Sequence, residues 1–265
     1  MKIPFKDANP DLLADFAALT DVVLRTRAEP SGGLFIAEGA ITIERAFASG
    51  AIVRSVLCEE KWVESLPLFP THTPVIVGTQ SELQSITGYI VHRGALASYH
   101  RPPALEWRDL ILQSRTLLIL EGLVNHTNVG AIIRSAAAFG VDGILLDGHC
   151  ADPLYRRAIR TSMGTVFNVS WARFENYGDL ALALRGANFD VLALTPLPEA
   201  RSIRSWSPGE RSALILGTEG DGLSTNAHEM ATQELRIPMS AGIDSLNVSA
   251  AAAVALYEFT NHVQN

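Results

Sequence analysis

The residue types and spacings most capable of chemistry fall in three short segments of the second half of the chain. The first holds Asn128, Gly130 and Arg134 in an Asn-x-Gly-x-x-x-Arg run that follows the apolar stretch Thr116–Leu120. Asn128 has the side chain to cap a helix over 129–139, and Gly140 can end that helix in the left-handed region. Ile132, Ile133, Ala136 and Ala137 recur at helical spacing and mark its buried face. Arg134 stands among these apolar neighbours near the expected helix start, where the dipole disfavours a cation. Two readings stand on spacing alone: a guanidinium that grips a phosphate or carboxylate, or a stem that covers apolar surface with its head in water.

The second segment, Gly217-Thr-Glu-Gly-Asp-Gly-Leu223, closes an apolar run. Its three glycines permit positive φ and close approach of a backbone or ligand. It is neither a Gly-x-Gly-x-x-Gly fingerprint nor a phosphate loop, and it also reads as an ordinary strand-to-helix turn. Glu219 within it sits where a ligand could approach. The third segment joins Ile237-Pro-Met239 to Asp244-Ser-Leu-Asn-Val-Ser249 and an alanine-rich helix. Ser245 or Asp244 can cap that helix, whose free N–H groups then face a ligand pocket; a capped core helix accounts for the same residues without a ligand.

These segments need a scaffold. From residue 115 onward, apolar runs at 116–120, 143–147, 190–194, 213–216 and 234–237 alternate with helical stretches at 129–139, 153–163, 179–186 and 223–233. A last helix spans 246–262. Strands apolar throughout are what a parallel sheet covered on both faces requires, with ligands beyond the strand carboxyl ends. Upstream, helices at 11–27, 40–49 and 80–86 and strands at 34–37, 52–58 and 74–77 predict a small α/β module. The pair Pro102-Pro103 interrupts the pattern. The expected division is a first domain over 1–100, a linker over 101–114 and a second domain over 115–265.

Composition narrows the class. Apolar residues make up 48% of the 265 positions, ample for a core, and only the first few residues read as loose. With 21 Lys+Arg against 28 Asp+Glu the net charge is −7. A nucleic-acid partner would therefore have to be held by a local basic stripe. The two cysteines, Cys58 and Cys150, form no CxxC pair, and the histidines are scattered, so no metal is expected. No apolar run suits a signal peptide or a membrane span, which leads us to expect a reduced, cytoplasmic protein.

Taken together, and in this order, the Asn128–Arg134 run, the Gly217–Leu223 turn, Ile237-Pro-Met239 and Ser245-Leu-Asn-Val-Ser249 resemble the SpoU (TrmH-type) family of RNA 2′-O-ribose methyltransferases. Asp152-Pro-Leu-Tyr-Arg-Arg157 and Arg160-Thr-Ser-Met-Gly164 fit the same pattern. Phe35-Ile-Ala-Glu-Gly39 and Arg93-Gly-Ala-Leu-Ala97 resemble that family's L30e-like substrate-binding domain. The resemblance implies an L30e-like domain followed by a mostly parallel α/β sheet with a carboxy-terminal trefoil knot, the SPOUT fold. It also implies a cytoplasmic homodimer formed through the knotted domain, RNA (ribosomal or transfer) as partner, and S-adenosylmethionine as cofactor. Carried over residue by residue, the cofactor contacts Thr195, Gly217, Ile237 and Leu246. Arg134 is the catalytic arginine, with Asn128, Glu219, Ser245 and Asn247 around it.

Guanidinium does not deprotonate at ordinary pH, so a phosphate clamp suits Arg134 better than a general base. Arg156, Arg157 and Arg160 are candidate RNA contacts on one helix, and Arg25, Arg27, Arg45, Arg54, Arg93 and Arg101 could extend the track. Three rival readings remain: an inactive RNA-binding relative, a dinucleotide-dependent oxidoreductase, and a knotted base methyltransferase. Cofactor titration discriminates the first, the missing Gly-x-Gly-x-x-Gly opposes the second, and the Arg134 run opposes the third.

Overall fold

The computed structural model describes residues 1–261 apart from Arg93, Pro208, Glu219, Asp221 and 241–244, with Asn261 described by its backbone. The chain divides into two compact units. Met1–Pro103 and Asp152–Phe167 form one; Ala104–Ala151 and Asn168–Asn265 form the other.

The first unit is built on a five-stranded sheet of β1 (Lys2–Pro4), β2 (Leu34–Glu38), β3 (Val53–Cys58), β4 (Val75–Val77) and β5 (Ala95–His100), in the order β1-β4-β3-β5-β2. β1, β4 and β3 are parallel, and β5 runs antiparallel to both of its neighbours. Alternation along each strand sorts the side chains to two faces. Phe35 lies opposite Tyr99 with rings stacked 5.2 Å apart, while Ile36, Leu57, Ile76 and Leu96 join Phe16, Leu19 and Leu83 in a core on the other face.

Three local expectations change here. The start of the chain is tied down: Lys2–Pro4 pairs with β4, and the Met1 ammonium donates to the Thr73 carbonyl at 2.8 Å. The helix expected over 11–27 is two helices, Pro10–Ala14 and Val22–Ser31. Between them Ala18 (φ 48°) and Leu19 donate to the carbonyls of Ile86 and Thr87, and Phe16 and Leu19 enter the core fully buried. Tertiary contacts outweigh a continuous helical pattern at that point. Finally, Asp152–Phe167, expected within the second domain, packs in the first unit. Its helix Arg156–Thr161 lies against β2, and the Phe167 ring sits 5.3 Å from Phe35.

The second unit contains the stretch read as a linker, which forms the helix Trp107–Gln113 with Leu110 and Ile111 buried in the core. Its sheet has seven strands: β6 (Thr116–Leu120), β7 (Gly143–Leu146), β8 (Ser170–Arg173), β9 (Asp190–Leu194), β10 (Arg201–Ser202), β11 (Ser212–Leu216) and β12 (Gln233–Arg236). The order is β10-β12-β9-β11-β6-β7-β8, and every pairing is parallel. All residues of β6, β7 and β11 are buried, as a sheet covered on both faces demands. Leu117, Ile119, Leu145, Ala213 and Ile215 meet the core beneath the helices Trp107–Gln113 and Tyr177–Gly186; the alternate residues face the opposite side. β8 and β10 escaped the sequence reading because both are edge strands, one half-polar and one only two residues long.

Cys58 and Cys150 are free and buried. Burial pushes both thiols up to about 12, so they stay protonated and unreactive at neutral pH.

Candidate active site

β12, β9 and β11 are neighbours in the sheet, and the loops beyond their carboxyl ends enclose a cavity of about 670 Å³. Parallel strands deliver their loops to one edge, so three segments distant in sequence converge there. Thr195 and Pro196 follow β9, Gly217 and Thr218 follow β11, and Ile237 and Met239 follow β12. Leu246 and Val248 complete an apolar wall, with Ser245 and Asn247 as its polar additions. The four positions expected to contact a cofactor, Thr195, Gly217, Ile237 and Leu246, all line this one cavity, as do Ser245 and Asn247.

The glycine-rich turn has the geometry its composition allows. Gly220 and Gly222 have φ of 104° and 72°, which a side chain would strain. Gly217 is needed for a different reason: a Cβ there would fall 2.5 Å from the Gly222 carbonyl oxygen. The Thr218 N–H donates to that same carbonyl at 3.2 Å and closes the turn.

The helix ends differ from expectation. The helix His126–Ala138 is capped by Asn125, whose side chain accepts from the Thr127 N–H at 2.8 Å. Asn128 therefore sits in the first turn rather than at the cap. The helix Val248–Asn261 is capped by Asn247, not Ser245, through the N–H groups of Ser249 and Ala250 at 3.0 and 3.4 Å; Asp244 lies outside the described residues. Asn247 also donates to Asn128 Oδ1 at 3.4 Å, linking the two helix starts. Along their length these helices pack together, with Phe139 edge-on to Tyr257 at 6.0 Å.

Arg134 is the ninth of the thirteen residues in His126–Ala138, too far from the end for the dipole argument to apply, since that effect fades within the first turn. It is exposed and makes no hydrogen bond or ion pair with the described residues. It does not line the cavity. Helical side chains lean toward the amino end of their helix, which here carries Asn128 and its link to Asn247. Glu219 lies outside the described residues, so the structure does not place it beside Arg134.

The candidate RNA-contacting arginines separate into two kinds. Arg156 donates to Glu38 at 2.6 Å, to the Tyr89 hydroxyl at 2.9 Å and to the Leu19 carbonyl at 3.1 Å, which makes it a brace of the first unit. Arg25 is likewise buried against Glu29 and the Asp15 carbonyl, Arg54 pairs with Asp15, and Arg101 pairs with Asp152. Arg27, Arg45, Arg157 and Arg160 are exposed, although Arg45 donates to the Met163 carbonyl and Arg160 stands 3.8 Å from Glu38. Arg93 lies outside the described residues. The sequence reading also passed over Thr218 and Ala251 as parts of the cavity wall. Ala251 carried a signal in its small side chain one turn beyond Val248, but alanine is equally at home between packed helices.

No helix among the described residues is long and apolar enough to cross a membrane, and no three His, Cys, Asp or Glu among them gather as a metal site would require.

Residues 115–257 match the SpoU rRNA Methylase family, and the chain belongs to it. It is 36% identical over 262 residues to an uncharacterized tRNA/rRNA methyltransferase of Mycobacterium bovis, covering 96% of this chain and 90% of that protein. Among solved structures, the AdoMet-bound rRNA methyltransferase of Sinorhizobium meliloti superposes with a TM-score of 0.85 at 25% identity, covering 99% of this chain and 98% of the other. An RNA 2′-O ribose methyltransferase superposes with a TM-score of 0.78 at 27% identity over the full length of both chains.

Proposed function

We propose that the protein transfers a methyl group from S-adenosylmethionine to a ribose 2′-hydroxyl of RNA. The observation that carries this reading is the cavity at the ends of β9, β11 and β12, joined through Asn247 and Asn128 to the helix that presents Arg134. The walls suit the cofactor. Leu194, Leu216, Ile237 and Leu246 offer an apolar slot for an adenine ring, and Gly217 adds backbone to the same wall. The volume lies in the range of small-molecule sites. The Sinorhizobium meliloti relative holds AdoMet in the same fold, and the 2′-O ribose methyltransferase relative supports the choice of acceptor.

When bound, the cofactor supplies an electrophilic methyl on a sulfonium. Arg134 then has one task suited to an always-charged fork: gripping the phosphate beside the target ribose so that the 2′-oxygen is held in line, while the proton that the 2′-hydroxyl loses passes to that phosphate and on to solvent. Asn128 and Asn247 fix the approach of the two helix starts. Arg157 and Arg160, exposed on their helix, are the cations that hold RNA. Exposed Val254 and Tyr257 on the last helix suit a symmetric contact with a second copy through the knotted domain.

The test is transfer of labelled methyl from S-adenosylmethionine into total RNA, followed by mapping of 2′-O-methyl sites with and without the protein. New sites should appear; label found only on bases would reject the ribose reading. A second expectation concerns Gly217→Ala. Its methyl meets backbone that cannot turn aside, and overpacking of that kind costs roughly 1–3 kcal/mol. Titration calorimetry should show cofactor affinity lowered by about tenfold or more.

A further inference from the structure

Glu121 belongs to none of the three motif segments, and it is buried, with 7% of its surface exposed. It follows β6 directly and stands at the foot of the glycine-rich turn. Its backbone N–H donates to the Leu216 carbonyl at 2.9 Å, at the residue where the turn departs. Its carboxylate accepts from the Ser224 N–H at 2.9 Å and the Ser224 hydroxyl at 2.6 Å, just after the turn ends. Ser224 in turn accepts from the Ala227 N–H and caps the helix Thr225–Met230. One side chain and its own amide thus hold both ends of the loop whose Gly217, Thr218, Gly220 and Gly222 wall the cavity.

The next residue tightens the arrangement. Gly122 has φ 64°, and a Cβ on it would fall 2.7 Å from Thr218 Cγ2, so β6's exit packs directly on the turn. The Gly122 N–H donates to buried Asp147 at 2.9 Å, which fixes the peptide that Glu121 belongs to. A carboxylate removed from water is costly unless its oxygens are matched by donors. Both of these donors are on Ser224, and an amide in place of the carboxylate would lose the charge that strengthens the two bonds and would have to reverse the one to the hydroxyl.

We propose that Glu121 is a positioning residue for the methyl-transfer reaction: by tying Leu216 to Ser224 it holds the Gly217–Gly222 turn in the shape that receives the cofactor. This rests on the reading of the cavity as the S-adenosylmethionine site. Glu121 is buried and does not line the cavity, so its loss should act on cofactor binding through the turn and not on RNA binding.

The test compares wild type with Glu121→Gln, Ser224→Ala and the double variant. Hydrogen exchange on the free protein is measured first. The Thr218 and Ser224 amides should exchange about tenfold faster in Glu121→Gln, the change expected when a charged acceptor becomes a neutral one. In the same variant the KM for S-adenosylmethionine should rise about tenfold, with the KM for RNA and the melting temperature little changed. Ser224→Ala lies at the surface and folds regardless. It should reproduce part of the effect, and the double variant should be no worse than Glu121→Gln, because both remove one link. Unchanged exchange in the turn, or equal rises in both KM values, would overturn the proposal. Failure of the wild-type protein to bind S-adenosylmethionine would instead reject the cofactor reading, while the exchange data still decide whether Glu121 holds the turn.

Discussion

Replacing Arg134 with alanine should lower methyl transfer by at least about a hundredfold and leave affinity for S-adenosylmethionine nearly unchanged. The separation follows from where the residue stands. The cofactor cavity is walled by the loops after β9, β11 and β12 and by the start of the last helix, and Arg134 is not part of that wall. Its head is exposed and unpaired among the described residues, so truncation strips no brace from the fold. What it removes is a fork that can seize a phosphate. Misplacing a reacting atom by about 1 Å can cost about a hundredfold, because an in-line displacement tolerates little disorder in the attacking oxygen. Lysine at this position keeps the charge but not the paired donors and should recover only part of the rate. Single-turnover kinetics with saturating cofactor measure the loss directly. Wild-type turnover in the alanine variant would reject the phosphate-clamp role, and lost cofactor binding would reassign Arg134 to the pocket.

Arg156→Ala should have the largest effect on stability, about 3 kcal/mol of unfolding free energy in the first unit. Glu38 is 3% exposed and receives its close donor from Arg156. Removing that donor leaves a carboxylate in the interior with Arg160 at 3.8 Å and the Tyr89 hydroxyl at 3.1 Å as its remaining charge-bearing or hydrogen-bonding partners among the described residues. Three further contacts vanish with it: the bonds to the Tyr89 hydroxyl and the Leu19 carbonyl, and the packing of the guanidinium on the Tyr89 ring at 4.9 Å. Arg157→Ala, one residue on, removes an exposed cation and should leave stability within about 0.5 kcal/mol, while lowering RNA affinity and its dependence on salt. Urea unfolding of both variants, set beside RNA titrations at two salt concentrations, distinguishes the brace from the contact. Equal stability of Arg156→Ala and wild type would contradict the assignment.

These neighbouring arginines show where a sequence stops being readable. Residues 156, 157 and 160 look alike as a basic run on a helix. Their roles are set by Glu38 and Leu19, more than a hundred positions away, and no local spacing reports such partners. The same limit explains the helix caps. Asn125 and Asn128 are equally good capping residues, and only the trajectory of the chain after β6 selects the first. By contrast, the parallel sheet was legible, because strands such as Leu117–Leu120 must be apolar on both faces, and that pattern needs no partner to be recognised. The cavity was legible for a related reason. Its glycines and its Ile237-Pro-Met239 segment are local answers to close backbone approach, whereas Glu121 acts through Ser224, 103 residues on, and left no local mark.

The placement of Asp152–Phe167 has a consequence for how the molecule is assembled. The backbone passes between the two units at three points, after Pro103, after Ala151 and after Phe167. Neither unit is therefore a contiguous piece of the gene, and neither can be exchanged with a relative as a single cassette. A fragment beginning at Ala104 would carry Leu154, Ala158, Ile159 and Val166, all buried in the intact chain, with nothing left to cover them. Synthesis faces the same geometry in time: the first unit has to wait for the ribosome to deliver its last helix, after β6 and β7 of the second have already emerged.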